Sequence, residues 1–131
     1  MSGARPRVLV VDDRLEMAEM LADGLAERGF EPIALASARE AAARLEAERV
    51  DAVVTDLRMP DMDGLELLAA SRRLDPARPV IVMTAFGAID TAIESIRRGA
   101  YHYLTKPFRQ EELVIFLERA LDESRVRREA A

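Results

Sequence analysis

"VVTDLRMPDMDG" (53–64) is the stretch on which the fold reading turns. A run of β-branched apolar residues stops at Asp56, and a loop punctuated by Pro60 and Gly64 follows. That loop carries two more acids, Asp61 and Asp63. A buried strand that ends on a carboxylate offers three readings: a helix cap, a metal ligand or a nucleophile. Asp61 and Asp63 stand just before a helix-like stretch, where short acids shape turns and cap helices.

Outward from this segment, short apolar runs alternate with helix-like stretches. The expected strands are "RVLVV" (7–11), "PIALA" (32–36), "DAVVT" (51–55), "PVIVMT" (79–84) and "YHYLT" (101–105). Leu15, Ala18, Leu21, Ala22 and Leu25 recur at helical spacing, and Gly29 ends that helix. Ser37 can cap a second helix over 38–48. Further helices are expected over 64–74 and 88–98 and from Arg109 onward. Five strand–helix units in series imply a doubly wound α/β fold, a parallel sheet with helices on both faces. The tail, 122–131, loses its apolar stripe and reads as frayed helix or the root of a linker, which sets expected segments of 1–121 and 122–131.

Composition narrows the function. The chain has 131 residues, a single-domain length, and is 50% hydrophobic and 33% charged. A net charge of -5 argues against a direct grip on nucleic acid by this domain. There are no cysteines, which excludes disulfides, thiolate metal sites and cysteine nucleophiles. No apolar run reaches the roughly 20 residues of a membrane span, and no signal peptide is evident, so a cytoplasmic location is expected. Of the 19 basic residues, Lys106 alone is lysine. A compact ammonium on a flexible stem differs chemically from a guanidinium, so that position is a candidate for a specific task.

In a parallel sheet the carboxyl ends of all strands share one edge, where ligands bind. Asp12 and Asp13 follow the first strand, Asp56 the third, Thr84 ends the fourth, and Thr105 leads to Lys106 after the fifth. Two like charges about 4 Å apart cost roughly 4 kcal/mol at an effective dielectric of 20, so three carboxylates need a cation. An all-oxygen set suits a hard ion, most plausibly Mg²⁺. With Lys106 and a hydroxyl beside it, Asp56 is placed as the nucleophile of a phosphoryl transfer. Asp13 with Glu16 also resembles a capping box, the bland alternative.

The segments "VLVVDD", "DLRMPDMDG", "VIVMTA" and "YLTKPF" resemble the receiver domain of two-component response regulators, the CheY-like superfamily. The resemblance spans about residues 7 to 121, with 43 residues from Asp13 to Asp56, 28 on to Thr84 and 22 on to Lys106. It implies a five-stranded flavodoxin-like sheet of order 2-1-3-4-5 and a (βα)5 sandwich. It implies phosphorylation of Asp56 by a partner histidine kinase. Asp13, Asp56 and the backbone carbonyl of Arg58 would hold Mg²⁺, with Asp12 acting mainly through water. Lys106 would contact the phosphoryl group, Thr84 would bond it after transfer, and Tyr103 takes the switch-aromatic position. The Lys106–Pro107 bond would be cis. "DLRMPDMDGLELL" and "GAYHYLTKPF" further resemble the receivers of NtrC-type transcriptional activators, which carry ATPase and DNA-binding domains further along. The chain is then either a stand-alone receiver or part of a longer regulator. An output domain and a homodimer through the surface of the fourth helix, fifth strand and fifth helix are the partners this implies.

A Mg²⁺-dependent phosphohydrolase with an aspartyl nucleophile places a second Asp two positions on, where this chain has Arg58. A nucleotide-binding Rossmann module needs a Gly-rich loop, where this chain has "DDRLEM". A degenerate receiver that binds partners without phosphorylation is disfavoured by the complete acid, hydroxyl and lysine set. His102, the lone histidine, lies in the alternating "YHYLT", so it should point away from the face of Tyr103 and serve a surface or interface role.

Overall fold

The computed structural model describes residues 4–85 and 88–130. The outer ends of the expected segments, at residues 1 and 131, lie outside the described residues. The elements are β1 (Arg7–Val11), α1 (Leu15–Glu27), β2 (Glu31–Leu35), α2 (Ala38–Ala47), β3 (Ala52–Asp56), α3 (Gly64–Leu74), β4 (Val80–Thr84), α4 (Ile89–Arg97), β5 (His102–Thr105) and α5 (Gln110–Ala130). All strand pairs are parallel, in the order β2-β1-β3-β4-β5. The expected flavodoxin-like topology is therefore the observed one.

The strands read as unbroken apolar runs because both faces are covered. Alternation then divides each strand between two cores. Leu9, Val11, Val53 and Val82 pack under α2 and α3, against Leu45, Leu67 and Leu68. Val8, Val10, Val54, Ile81 and Met83 pack on the other side, against Leu21 and Leu25 of α1 and Leu113 and Leu117 of α5. Each such aliphatic side chain contributes roughly 1.5–3 kcal/mol by leaving water. Gly29 and Gly99 follow α1 and α4 at φ +95° and +105°, the left-handed region that favours glycine as a helix stop.

Element boundaries moved in places that matter. β2 begins one residue earlier than expected, and β3 runs over 52–56 rather than 51–55. Asp56 is thus the last residue of the strand, held in register opposite Met83 of β4. The tail does not fray: α5 continues as helix to Ala130. Its contact face there is polar, which hid it from an apolar pattern. Buried Ser124 donates to the carbonyl of Ala77 at 2.6 Å, and Arg128 grips both oxygens of Asp75 at 3.2 and 2.7 Å. The alternative box of Asp13 with Glu16 does not form at the start of α1. Its N-cap is Arg14 and no side chain caps it, so Asp13 is not used as a cap.

Candidate functional site

β1 and β3 are neighbours and β5 lies beyond β4, and the parallel order opens all of their carboxyl ends on one edge, where the predicted residues come together. Asp12, Asp13 and Asp56 each offer a carboxylate oxygen, and these oxygens all lie within 4.8 Å of one another. Lys106 Nζ donates to Asp12 Oδ2 and Asp56 Oδ2, both at 2.9 Å. A cleft of about 290 Å³ opens here, lined by Asp13, Asp56, Arg58, Thr84, Thr91 and Lys106 among others.

Each member is held by local chemistry. Asp12 is fully buried, and its second oxygen accepts from the Arg14 N–H at 3.0 Å. Asp56 Oδ1 accepts from the Arg58 N–H at 3.2 Å, which folds the loop back over the carboxylate. Gly64 returns the chain so closely that a Cβ there would sit 2.5 Å from the Asp56 carbonyl oxygen, so only glycine fits. Asp63 caps α3 in a full box with Glu66, as its position suggested. Asp61, expected to serve the same turn, instead reaches α2: it accepts from Ser37 Oγ at 2.7 Å and from the Arg39 N–H at 3.1 Å.

Thr84 is buried, with Oγ1 3.4 Å from the carbonyls of Ala85 and Ala88. Its hydroxyl faces the start of α4. Tyr103 packs on the α2–α3 side of the sheet, whereas His102 lies against Phe116 of α5, with ring centroids 4.2 Å apart and the planes tilted by 37°. The two rings of His102 and Tyr103 do not point fully apart as the alternation predicts: they stack with centroids 5.5 Å apart, because β5 is the edge strand and its side chains can lean round the edge. Tyr101 does not share the Tyr103 face: it packs with the α1–α5 core and donates to Glu123. The strand begins only at His102, so the period-two rule does not reach Tyr101. The Lys106–Pro107 bond is cis.

Burial pushes the Lys106 ammonium down, but its hydrogen bonds to Asp12 and Asp56 and their charges outweigh this and hold it above the ordinary lysine value. Lys106 therefore stays cationic. One ammonium faces three carboxylates, so the cluster keeps a surplus of negative charge. Two oxygens on opposite sides of a Mg²⁺ ion stand about 4.2 Å apart. An oxygen trio within 4.8 Å can close on one such ion with small side-chain shifts. The donor set fits a hard divalent cation and offers no nitrogen or sulfur ligand to a softer one.

A five-stranded 2-1-3-4-5 sheet with this acid, hydroxyl and lysine edge is the arrangement of a receiver domain. The model of the response regulator receiver domain matches residues 8–118, and the chain belongs to that family. Its relatives are regulators of the NtrC type. Regulatory protein AtoC of Escherichia coli is 37% identical over 94% of this chain, and the C4-dicarboxylate transport transcriptional regulatory protein DctD of Rhizobium meliloti 38% over 95%. The match covers 27% of each of those proteins, so the chain spans about a quarter of their length. The crystal structure of the receiver domain of NtrX from Brucella abortus superposes with a TM-score of 0.83 at 34% identity, covering 88% of this chain and 98% of that one. Among the described residues no helix is long and apolar enough to cross a membrane.

Proposed function

We propose that this receiver is a phosphorylation-dependent switch whose phosphoacceptor is Asp56 and whose donor is the phosphohistidine of a partner histidine kinase. The observation that carries the reading is the meeting of Asp12, Asp13 and Asp56 with Lys106 at one open cleft. Asp13, Asp56 and the Arg58 carbonyl would hold Mg²⁺, with Asp12 acting mainly through water. When bound, the ion supplies positive charge to the oxygens of the transferring group. A carboxylate oxygen of Asp56 attacks phosphorus and forms the new O–P bond. The P–N bond to the donor imidazole breaks, and the ring leaves with the electron pair and takes up a proton. Lys106, freed from part of its hold on Asp56, pairs with the new phosphoryl oxygens.

The acyl phosphate is larger and more negative than the carboxylate. Thr84 turns its hydroxyl from the carbonyls of Ala85 and Ala88 to the phosphoryl group in a charge-assisted bond. Tyr103 then moves into the vacated space and the α4–β5–α5 surface changes. Ile89, Ile93 and Ile96 stand 45%, 43% and 39% exposed along α4, and Ile115 of α5 is 47% exposed, an apolar surface suited to self-association or an output domain. Kinship with NtrC-type regulators supports a transcriptional output, with no nucleic-acid contact by this domain.

The test is incubation with Mg²⁺ and acetyl phosphate followed by intact-mass measurement. The wild type should gain one phosphoryl group. Catalytic release of many phosphates per chain would favour the hydrolase reading instead. Self-association should rise with beryllofluoride, and this rise should shrink in Thr84→Ala. An equal rise in both would remove Thr84 from the route.

A further inference from the structure

The loop from Leu57 to Asp63 carries the Arg58 carbonyl, and both its ends are tied. The Leu57 N–H donates to the Met83 carbonyl, the Gly64 N–H to the Leu57 carbonyl, and Asp63 is locked in its box with Glu66. The middle of the loop is held differently. Asp61 Oδ2 takes both the Ser37 hydroxyl and the Arg39 N–H, while Ser37 Oγ accepts from the Glu40 N–H at 3.1 Å. One carboxylate and one hydroxyl thus satisfy two of the orphan donors at the start of α2. Asp61 Oδ1 is buried without a partner, a cost borne only where the other oxygen is firmly bound. The Ser37 hydrogen bond, the largest influence, and the Arg39 N–H hold the Asp61 carboxyl below its ordinary range, so the clasp is ionised at neutral pH.

The geometry points to Asp61 as a positioning residue that clasps the phosphoacceptor loop to the N-terminus of α2 and so fixes the Arg58 carbonyl for the cation. This rests on the metal site proposed above. α2 does not touch the cleft itself, yet the order of its first turn and the affinity of the site become linked. Removal of an outer support of a metal ligand typically lowers affinity roughly tenfold or more.

The experiment is Mg²⁺ titration by calorimetry, with hydrogen exchange of residues 37–41 and 57–63, on four proteins. Asp61→Ala should bind Mg²⁺ roughly tenfold more weakly and exchange faster in both segments. Asp61→Asn, which keeps an acceptor for the Arg39 N–H, should recover most of the affinity. Ser124→Ala loses a buried hydrogen bond at the far edge of the sheet and should bind as wild type does, separating loop positioning from general stability. Equal affinity in Asp61→Ala and wild type would overturn the clasp, as would equal loss in Ser124→Ala. Wild type that binds no Mg²⁺ would overturn the metal site itself and the clasp with it. Should Asp61→Ala fail to fold, Ser37→Ala removes half of the clasp and carries the same expectations at a smaller size.

Discussion

The two edges of the sheet handle charge in opposite ways. At the amino edge, cations and anions are matched. Arg7 bonds Glu48 at 2.8 Å and the Arg49 carbonyl at 3.0 Å, and its own N–H donates to Asp51. Arg78, 6% exposed, donates to the Val50 carbonyl and to Ser71 Oγ at 3.0 Å each, with Asp75 beside it. Asp75 is in turn held by Arg128. At the carboxyl edge, Asp12, Asp13 and Asp56 share the single ammonium of Lys106. The first edge spends its charges on holding β3, β4, α3 and α5 together. The second keeps unneutralised carboxylate where a cation and a phosphoryl group can approach. Charge balance, more than charge count, separates the structural edge from the functional one.

That contrast can be broken most sharply at Asp56. Asp56→Asn nearly keeps the shape and removes the proposed nucleophile, so intact-mass measurement should find no phosphoryl gain from acetyl phosphate. Full modification of this variant would move the acceptor elsewhere. The opposite edge should respond in stability alone. Arg78→Ala strips a buried guanidinium from its partners and should cost about 3 kcal/mol in urea unfolding, while the folded fraction still accepts phosphate.

Asp13→Ala tests the surplus of charge itself. Mg²⁺ affinity should fall at least tenfold, while the metal-free protein gains stability by less than about 1 kcal/mol, because Asp13 is solvent-exposed and its repulsion screened. A loss of metal-free stability would show that the acids at this edge are not in conflict.

The smallest effect belongs to Asp75. Burial raises its carboxyl, but the Arg128 hydrogen bond and charge, the Ala77 N–H and Arg78 outweigh that and leave it below its ordinary value. A depressed carboxyl adds stability above the unfolded value, and that stability is lost as pH falls through the folded value. Asp75→Asn should therefore lose about 0.5–1 kcal/mol at neutral pH and show a shallower stability loss below about pH 4. A slope equal to that of wild type would mean the Asp75–Arg128 pair contributes nothing.

Much of the fold was legible because two signals agree: apolar strands buried on both faces, and helices with a stop glycine or a capping acid. Gly64–Leu74 matched its expected helix residue for residue, since Asp63, Glu66 and Leu67 mark its start without ambiguity. The site was legible for a related reason. Parallel topology carries every strand's last residue to one edge, so residue order alone gathers Asp12, Asp13, Asp56, Thr84 and Lys106 there. What escaped was polar packing. Ser124 and Arg128 hold the end of α5 through one and two hydrogen bonds to a segment some 50 residues away, and no local pattern announces such a partner.

The amino-acid sequence by itself determined the strand–helix alternation, the order of chemistry along the carboxyl edge and the uniqueness of Lys106. These are properties of local hydrophobic period and residue type. Tertiary structure alone decided that Asp61 serves α2 rather than α3, that Tyr101 and Tyr103 lie on opposite cores, and that Lys106 bridges Asp12 and Asp56. Each depends on which donor or apolar surface another element brings within about 3–4 Å. Such encounters depend on distance in space, which residue spacing along the chain does not encode.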